Sequence, residues 1–112
     1  MRPLSFIQGL IMKYFTVICW DKPNHQALRS EVRDAHLRYL RESGVVRFAG
    51  PYLSEDSASM VGSLVVLYCK DRESAERWAS EDPYQKASLF ERVAIQEWVH
   101  SFGSLPAKNK TS

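Results

Sequence analysis

The first half of the chain alternates between an apolar run and a segment with helical spacing. Residues Lys13–Trp20 are mostly aromatic or β-branched, which predicts a strand buried on much of both faces. Asp21–His25 contains Asp, Pro and Asn and is typical of a turn. Residues 27–42 then predict a helix, and Gly44 suits the left-handed position that ends one. The apolar positions with helical spacing are Leu28, Val32, Ala35, Tyr39 and Leu40.

The middle of the chain predicts two further strands. Val45–Ala49 forms a short strand that Gly50 and Pro51 are expected to close. Residues 52–60 are polar and predict an exposed loop. Gly62–Lys70 is the most strand-like segment of the sequence.

The last third of the chain predicts a helix, a short helix and a strand. Asp71 is a favourable N-cap for a helix over Arg72–Ser80. Asp82 precedes Pro83 and predicts a second helix start, with the aspartate at the N-cap and the proline at the first helical position. Phe90–Phe102 alternates loosely between apolar and polar residues and predicts the final strand.

This order of elements predicts an α+β fold. It is that of a ferredoxin-like βαββαβ sandwich, in which both helices cover one face of an antiparallel sheet. The first strand is largely apolar on both sides. One face carries Tyr14, Thr16, Ile18 and Trp20, and the other carries Phe15, Val17 and Cys19. Exposing either row to water would leave a large apolar patch. We therefore expect a homodimer of the dimeric α/β-barrel type, formed through the sheet faces.

Composition restricts the class of protein. The chain has 112 residues, of which 45% are hydrophobic and 25% charged, as in an ordinary single soluble domain. A formal charge of +2 is too weak to predict nucleic-acid binding. The apolar runs are far shorter than the roughly 20 residues of a membrane span. Cys19 and Cys69 lie in apolar runs without CxxC spacing, which predicts buried thiols and a cytoplasmic location.

Three divisions of the chain are expected. Residues 1–12 are interpreted as an N-terminal extension, because Gln8 and Gly9 interrupt the apolar run and no small-residue cleavage site follows. Residues 13–103 form the domain. Residues 104–112 contain Pro106 and end in polar and basic residues, so they predict a flexible tail.

His36 is the strongest candidate for chemistry. Its spacing from Val32 and Leu40 places it on or beside the buried stripe of the first helix. Imidazole changes charge within the physiological pH range, which suits general acid–base catalysis. The alternative is a core histidine satisfied by a backbone carbonyl. Asp82 is a candidate to orient the imidazole. It can also cap the short helix, since the cap uses one carboxylate oxygen and leaves the other for the imidazole. Asp21 is the competing candidate for the orienting role.

Other candidates are weaker. Arg33 can hold an anionic substrate or lie on a solvated face, and Gly50-Pro51 allows a ligand close to the backbone or forms a plain turn. The three histidines lack metal-site spacing, so no metal is expected. Neither a P-loop, a dinucleotide GxGxxG nor a GxSxG elbow is present, and no cofactor is expected.

Several of these features occur together in one known family. Asp21 at a strand end, Arg33-x-x-His36-Leu37, Phe48-Ala49-Gly50-Pro51 and Trp78-Ala79-x-x-Asp82-Pro83-Tyr84 follow one another in that order. Together with the last strand, they make residues 12–100 resemble the YciI-like, or YCII-related, family. The resemblance implies a ferredoxin-like fold, dimerisation through the sheets and a pocket centred on histidine and aspartate.

The resemblance also implies a function. It makes His36 and Asp82 the catalytic pair, with Asp21 as the alternative acid, and Arg33, Gly50, Pro51 and Tyr84 the substrate-binding residues. Some relatives act as dehydrochlorinases on aromatic rings, and the fold resembles muconolactone isomerases. We therefore expect a small cofactor-independent enzyme for an aromatic or lactone-like metabolite. The alternative is a non-catalytic dimeric module that binds a small molecule or serves a larger assembly.

Overall fold

The computed structural model describes residues 11–105. Its strands and helices, in chain order, are β1 (Lys13–Asp21), α1 (Gln26–Ser43), β2 (Val46–Leu53), β3 (Met60–Cys69), α2 (Arg72–Glu81), α3 (Pro83–Lys86) and β4 (Phe90–Trp98). The strands form one antiparallel sheet in the order β2-β3-β1-β4. This is the order of a ferredoxin-like βαββαβ fold, so the predicted fold class is confirmed.

Most of the predicted extension, residues 1–10, and most of the predicted tail, residues 106–112, lie outside the described residues. The division of the chain into extension, domain and tail stays a prediction. Between residues 11 and 105, no helix is both long and apolar enough to cross a membrane.

Helix α1 covers the sheet with an unusual inner face. Its apolar residues Leu28, Val32, Tyr39 and Leu40 are only partly buried, whereas its buried residues are Arg29 and His36. Gly44 ends the helix with φ of 78°, a left-handed conformation that costs glycine little. Ala35 was expected on the inner face and is exposed, because His36 beside it takes the inward position.

The hydrophobic core lies between the helices and one face of the sheet. Phe15, Val17 and Cys19 of β1 point into it, and Ala75 and Trp78 of α2 cover them. Burying one such large apolar side chain stabilises the fold by about 1.5–3 kcal/mol. Two hydrogen bonds fix α2 against α1, because the Tyr39 hydroxyl donates to the Trp78 carbonyl at 2.8 Å and Trp78 Nε1 donates to Ser43 Oγ at 3.0 Å.

Both cysteines are buried free thiols, as predicted. Burial raises the pKa of Cys19 to about 12, and the negative charges of Asp82 and Asp21 act in the same direction. Burial also raises the pKa of Cys69. Both side chains are therefore neutral thiols at physiological pH, with little nucleophilic character.

Two predicted strand ends are wrong. Gly50 and Pro51 do not close β2, which continues to Leu53 and pairs Pro51 with Ser63. Because β2 is an edge strand, the missing N–H of proline costs no hydrogen bond to a neighbouring strand on its open side. Strand β4 ends at Trp98 rather than Phe102, since Trp98 pairs with Tyr14 close to the start of β1.

The opposite face of the sheet is covered by no element among the described residues. Aromatic side chains of different strands contact each other across it, and the Trp20–Tyr52 pair of β1 and β2 spans the intervening strand β3. Ring centroids lie 4.7 Å apart for Tyr14 and Tyr68, 5.8 Å for Tyr14 and Trp98, and 4.6 Å for Trp20 and Tyr52. We call this aromatic surface the open face. Its partly exposed aromatic and aliphatic side chains are the surface through which we expect two copies to pair.

Gly62 makes room for the stacked pair on the open face. A Cβ atom at position 62 would clash with the carbonyl oxygen of Cys19 and lie 3.1 Å from Cε3 of Trp20. Backbone cannot move as a side chain does, so we expect Gly62→Ala to lower the free energy of unfolding by about 1–3 kcal/mol. Urea denaturation measures the loss. Gly50→Ala is the control, because a Cβ there meets nothing within 4 Å; equal losses in both variants would contradict this interpretation.

Candidate active site

A cavity of about 210 Å³ lies between α1 and the edge of the sheet formed by β2 and β3. Helix α1 supplies Arg29, Arg33, His36, Leu37 and Leu40 to its wall. The other wall residues are Ala49, Gly50 and Pro51 from β2, Met60, Ser63 and Val65 from β3, and Tyr84 from α3. The volume is below the roughly 300–1,000 Å³ of pockets for drug-sized ligands, so the cavity suits a small metabolite.

His36 and Asp82 are joined by a buried hydrogen bond. The distance from His36 Nδ1 to Asp82 Oδ1 is 2.8 Å, and the two side chains are only 7% and 4% exposed. Asp82 is also the N-cap of α3 and accepts the Tyr84 backbone N–H at 2.9 Å. Both bonds go to Oδ1, so the expectation that capping and orientation use different oxygens is wrong. The helix cap thereby fixes the position of the oxygen that contacts the imidazole.

This hydrogen bond selects a tautomer of His36. An ionised carboxylate only accepts hydrogen bonds, so the neutral ring places its proton on Nδ1. Nε2 then carries a free lone pair and makes no hydrogen bond to the described residues. Because His36 belongs to the cavity wall, Nε2 is the ring nitrogen left to interact with a ligand.

Tyr84 is enclosed between the imidazole and a guanidinium group. Its ring stacks on His36 with centroids 3.9 Å apart and planes at 17°, and Arg29 Cζ lies 4.6 Å from the Tyr84 centroid. Tyr84 is 1% exposed. Burial raises the pKa of Tyr84, while the charges of Arg29 and Arg33 act to lower it. The stacked Tyr84 ring restricts rotation of the imidazole about its side-chain bonds.

Asp21 pairs with Arg29 and not with His36. Arg29 Nε donates to Asp21 Oδ2 at 2.7 Å and Nη2 donates to Oδ1 at 3.1 Å, with both side chains 6% exposed. Nη2 also donates to Ser63 Oγ at 2.8 Å. Burial opposes the charge of Arg29, but the hydrogen bond and the charge of Asp21 outweigh burial and raise the pKa of Arg29. The alternative acid is therefore engaged elsewhere.

The cavity brings most of the predicted site residues together. Arg33, His36, Gly50, Pro51 and Tyr84 all belong to its wall, and Asp82 lies behind His36. Two wall residues, Arg29 and Ser63, were not predicted from the sequence. Arg29 precedes Arg33 by four positions and His36 by seven, so the spacing of the three on one helical face was the available signal. No comparable signal exists for Ser63, whose role depends on a partner 34 positions away.

A metal site has no support in the arrangement of side chains. Among residues 11–105, no group of three or more His, Cys, Asp or Glu side chains is placed to hold a metal ion. His25, outside the cavity wall, contacts the Pro23 carbonyl through Nδ1 at 2.8 Å.

Proteins of known sequence match most of this chain along nearly their whole length. Protein YciI of Escherichia coli O6:H1 is 31% identical over 96 residues, which cover 79% of this chain and 98% of that protein. A protein of Haemophilus influenzae is 28% identical over 97 residues, covering 80% of this chain and 99% of that protein.

Solved structures share the fold. The 5-chloro-2-hydroxyhydroquinone dehydrochlorinase of Burkholderia phenoliruptrix AC1100, solved with 2,5-dihydroxybenzoquinone, is 26% identical with a TM-score of 0.71; the match covers 79% of this chain and 95% of that one. PA3566 of Pseudomonas aeruginosa has a TM-score of 0.51 at 14% identity, with 84% and 98% covered, and shows the fold alone.

The chain also matches a family model. The family model of the YCII-related domain matches residues 12–99, which is most of the chain. The relatives named YciI agree with it over nearly their whole length. The predicted resemblance is confirmed, and this chain belongs to the YCII-related domain family.

Proposed function

We propose that this protein is a small enzyme that transfers protons without a cofactor. His36 Nε2 is the general base and later the general acid, and Asp82 holds the imidazole in the required tautomer. One observation carries the proposal: a buried 2.8 Å hydrogen bond joins Nδ1 of a cavity-wall histidine to an aspartate that is itself held by a helix cap. A histidine that only filled the core would have no need of an open cavity beside it.

The reaction begins at an acidic C–H or O–H bond of the substrate. Nε2 takes the proton, and the electron pair stays on the substrate while Asp82 stabilises the imidazolium. In an isomerisation, the imidazolium returns the proton to a different atom. In a dehydrochlorination, the electron pair forms a new double bond, and chloride leaves with the two electrons of the broken C–Cl bond. The imidazolium then releases its proton to solvent. Both outcomes are redox-neutral.

Two further observations support this class of reaction. The cavity volume of about 210 Å³ fits a single ring or a lactone-sized molecule. The dehydrochlorinase of Burkholderia phenoliruptrix shares the fold at 26% identity and acts on a small hydroxylated ring. Arg33 and Gly50 belong to the cavity wall, which supports a role for the Arg33 guanidinium and a backbone N–H near Gly50 in stabilising negative charge that develops on such a ring.

The first substrate to test is 5-chloro-2-hydroxyhydroquinone. We expect the wild-type protein to release chloride faster than the spontaneous reaction, as followed with a chloride electrode. The Arg38→Gln variant should release chloride as fast as the wild type, because Arg38 is an exposed arginine of α1 outside the cavity wall. Chloride release that is equally fast without protein would exclude dehydrochlorination of this compound. A ligand that binds in the cavity and is never converted would favour a binding module.

Asp82→Asn separates the charge of Asp82 from its geometry. The Tyr84 N–H needs an acceptor, so the amide oxygen is expected to keep the Oδ1 position and the Nδ1–H tautomer. Only the charge is lost. Hydrogen bonds to charged groups exceed neutral ones by about 1–1.5 kcal/mol, so we expect kcat to fall by roughly tenfold. Chloride release measures kcat, and Asp34→Asn, at an exposed position of α1, is the control. An unchanged kcat in Asp82→Asn would contradict the assigned role.

We also propose that two copies pair through the open face. This face carries three aromatic pairs, one stacked, one tilted and one edge-on, which water does not solvate well. Light scattering should give about twice the chain mass of 12.9 kDa. A lysine at Ile18, in the centre of the face, should shift the mass towards that of one chain, whereas Ala35→Lys on exposed α1 should not. A single-chain mass for the wild type would refute the pairing.

A further inference from the structure

The cavity wall carries positive charge and no carboxylate. Arg29 and Arg33 belong to the wall, and none of its twelve residues is Asp or Glu. The two nearby carboxylates are engaged behind the wall, Asp21 by Arg29 and Asp82 by His36. A ligand that enters the cavity therefore meets cationic groups directly and anionic groups only through the residues that cover them.

Arg29 is a hydrogen-bond donor held in a fixed position, and one of its nitrogen atoms remains available to a ligand. Asp21 and Ser63 occupy its Nε and Nη2 atoms, while Nη1 makes no hydrogen bond to the described residues. The residue is 5% exposed, and what remains accessible belongs to the cavity wall. A guanidinium fixed in this way loses little side-chain entropy when it binds a ligand, and its fork geometry suits a carboxylate.

Ser63 adds a second donor beside Arg29. Its Oγ accepts the hydrogen bond from Arg29 Nη2, and its own hydroxyl hydrogen is donated to no acceptor among residues 11–105. Ser63 is 4% exposed and lies on the cavity wall. Because the hydroxyl cannot donate back to Arg29, which has no acceptor, it is available to an acceptor within the cavity.

Arg33 is the third hydrogen-bond donor of the cavity wall, beside Arg29 and Ser63. It lies one helical turn after Arg29 and three residues before His36, on the same face of α1. Its side chain is exposed and forms no ion pair within the described part of the chain. The charge of Arg33 nevertheless acts to lower the pKa of the buried Tyr84. Arg33 is thus a solvent-exposed cation of the cavity wall without an ion-pair partner among the described residues.

We propose that the preferred substrate of this site is a small organic carboxylate, so that 5-chloro-2-hydroxyhydroquinone, which has no carboxylate, tests the reaction and not the preferred substrate. Its carboxylate group is bound by Arg33, by Nη1 of Arg29 and by the Ser63 hydroxyl, and the bond to be deprotonated faces His36. This inference deepens the proposed function and rests on it for the reaction, but the binding step is independent of catalysis. The charge of Arg29 is balanced by Asp21, so Arg33 leaves one positive charge for one carboxylate.

Benzoate and benzamide are matched probes for this inference. They have nearly the same shape and differ in charge. Calorimetry at low ionic strength should show benzoate binding at least tenfold more tightly than benzamide, and benzoate affinity should fall as salt is added. The amide signals of Gly50 and Ser63 should shift in NMR spectra on benzoate addition. Equal affinity for both probes, or no benzoate binding, would overturn the inference.

Single variants test whether benzoate binding depends on Arg33. Arg33→Gln should weaken benzoate binding by tenfold or more, and Ser63→Ala by several-fold. Arg38→Gln removes an exposed arginine from the same helix outside the cavity wall and should change the affinity by less than twofold. Equal losses in Arg33→Gln and Arg38→Gln would show attraction by overall charge alone, and would contradict a carboxylate site.

His36→Gln separates this inference from the proposed function. Benzoate should bind to His36→Gln within about threefold of wild type, because the imidazole does not hold the carboxylate. If Arg33-dependent binding is present but His36→Gln keeps full turnover, the carboxylate site stands and the acid–base function fails. If turnover depends on His36 but benzoate does not bind, the function stands and the carboxylate inference is wrong.

Discussion

His36→Gln is expected to lower kcat by roughly 10²–10⁴-fold, the range that a positioned general base contributes. Glutamine has no group that accepts a proton near neutral pH, so the proton-transfer step loses its base. His36→Asn is made beside it, because the asparagine amide nitrogen lies as many bonds from Cβ as Nδ1 does and can donate to Asp82, which also keeps its bond from the Tyr84 N–H. The fold should therefore survive the change, with a melting temperature within a few degrees of wild type.

The control for this prediction is His25→Gln. His25 lies in the turn before α1, outside the wall of the 210 Å³ cavity. Its variant should keep both kcat and stability. If His36→Gln melts far below wild type while the folded fraction keeps its turnover number, His36 is a core histidine and not a base. If both histidine variants lose activity equally, the loss does not come from the cavity.

Arg29→Met is expected to destabilise the fold by roughly 3–5 kcal/mol, because it leaves the Asp21 carboxylate buried without its partner. Both side chains are 6% exposed, so water cannot replace the guanidinium. The loss is a large share of the 5–15 kcal/mol that stabilises an ordinary domain. Urea denaturation at neutral pH measures it. Arg77→Met should cost under 1 kcal/mol, because Arg77 and its partner Glu73 are 64% and 80% exposed.

The double variant Asp21→Asn/Arg29→Met tests the cause. Removing the charge of Asp21 as well should recover a large part of the lost stability, since a neutral amide costs less to bury than a carboxylate. A double variant that is less stable than Arg29→Met alone would show that packing around Arg29, including its contact with the Tyr84 ring, carries the effect instead.

The sequence was sufficient for the fold and for the inward position of His36. Strand and helix patterns determine the order of elements, and the spacing of Val32, His36 and Leu40 on one helix does not depend on distant contacts. Gly44 was predictable for the same reason, since its left-handed conformation is a local property. The end of β2 was not, because Pro51 is tolerated only by virtue of the edge position of its strand.

The residues alone left open which acid pairs with His36, and only the family resemblance favoured Asp82. Asp21 and Asp82 both stand at the end of an element, and nothing local distinguishes which of them reaches His36. The choice is made by Arg29, which binds Asp21 and leaves Asp82 to the imidazole. Arg29 was overlooked because an arginine on a helix is usually solvated, whereas here Asp21 and Ser63 satisfy it inside the fold.

The most direct test of the central claim is the tautomer of His36, read from the ¹⁵N chemical shifts of its ring at a pH where the ring is neutral. We expect a protonated, pyrrole-type Nδ1 and an unprotonated, pyridine-type Nε2 in the wild-type protein. The Asp82→Ala variant should show shifts averaged between the two tautomers. A wild-type ring that carries its proton on Nε2, or that already shows averaged shifts, would contradict the assignment of Nε2 as the base.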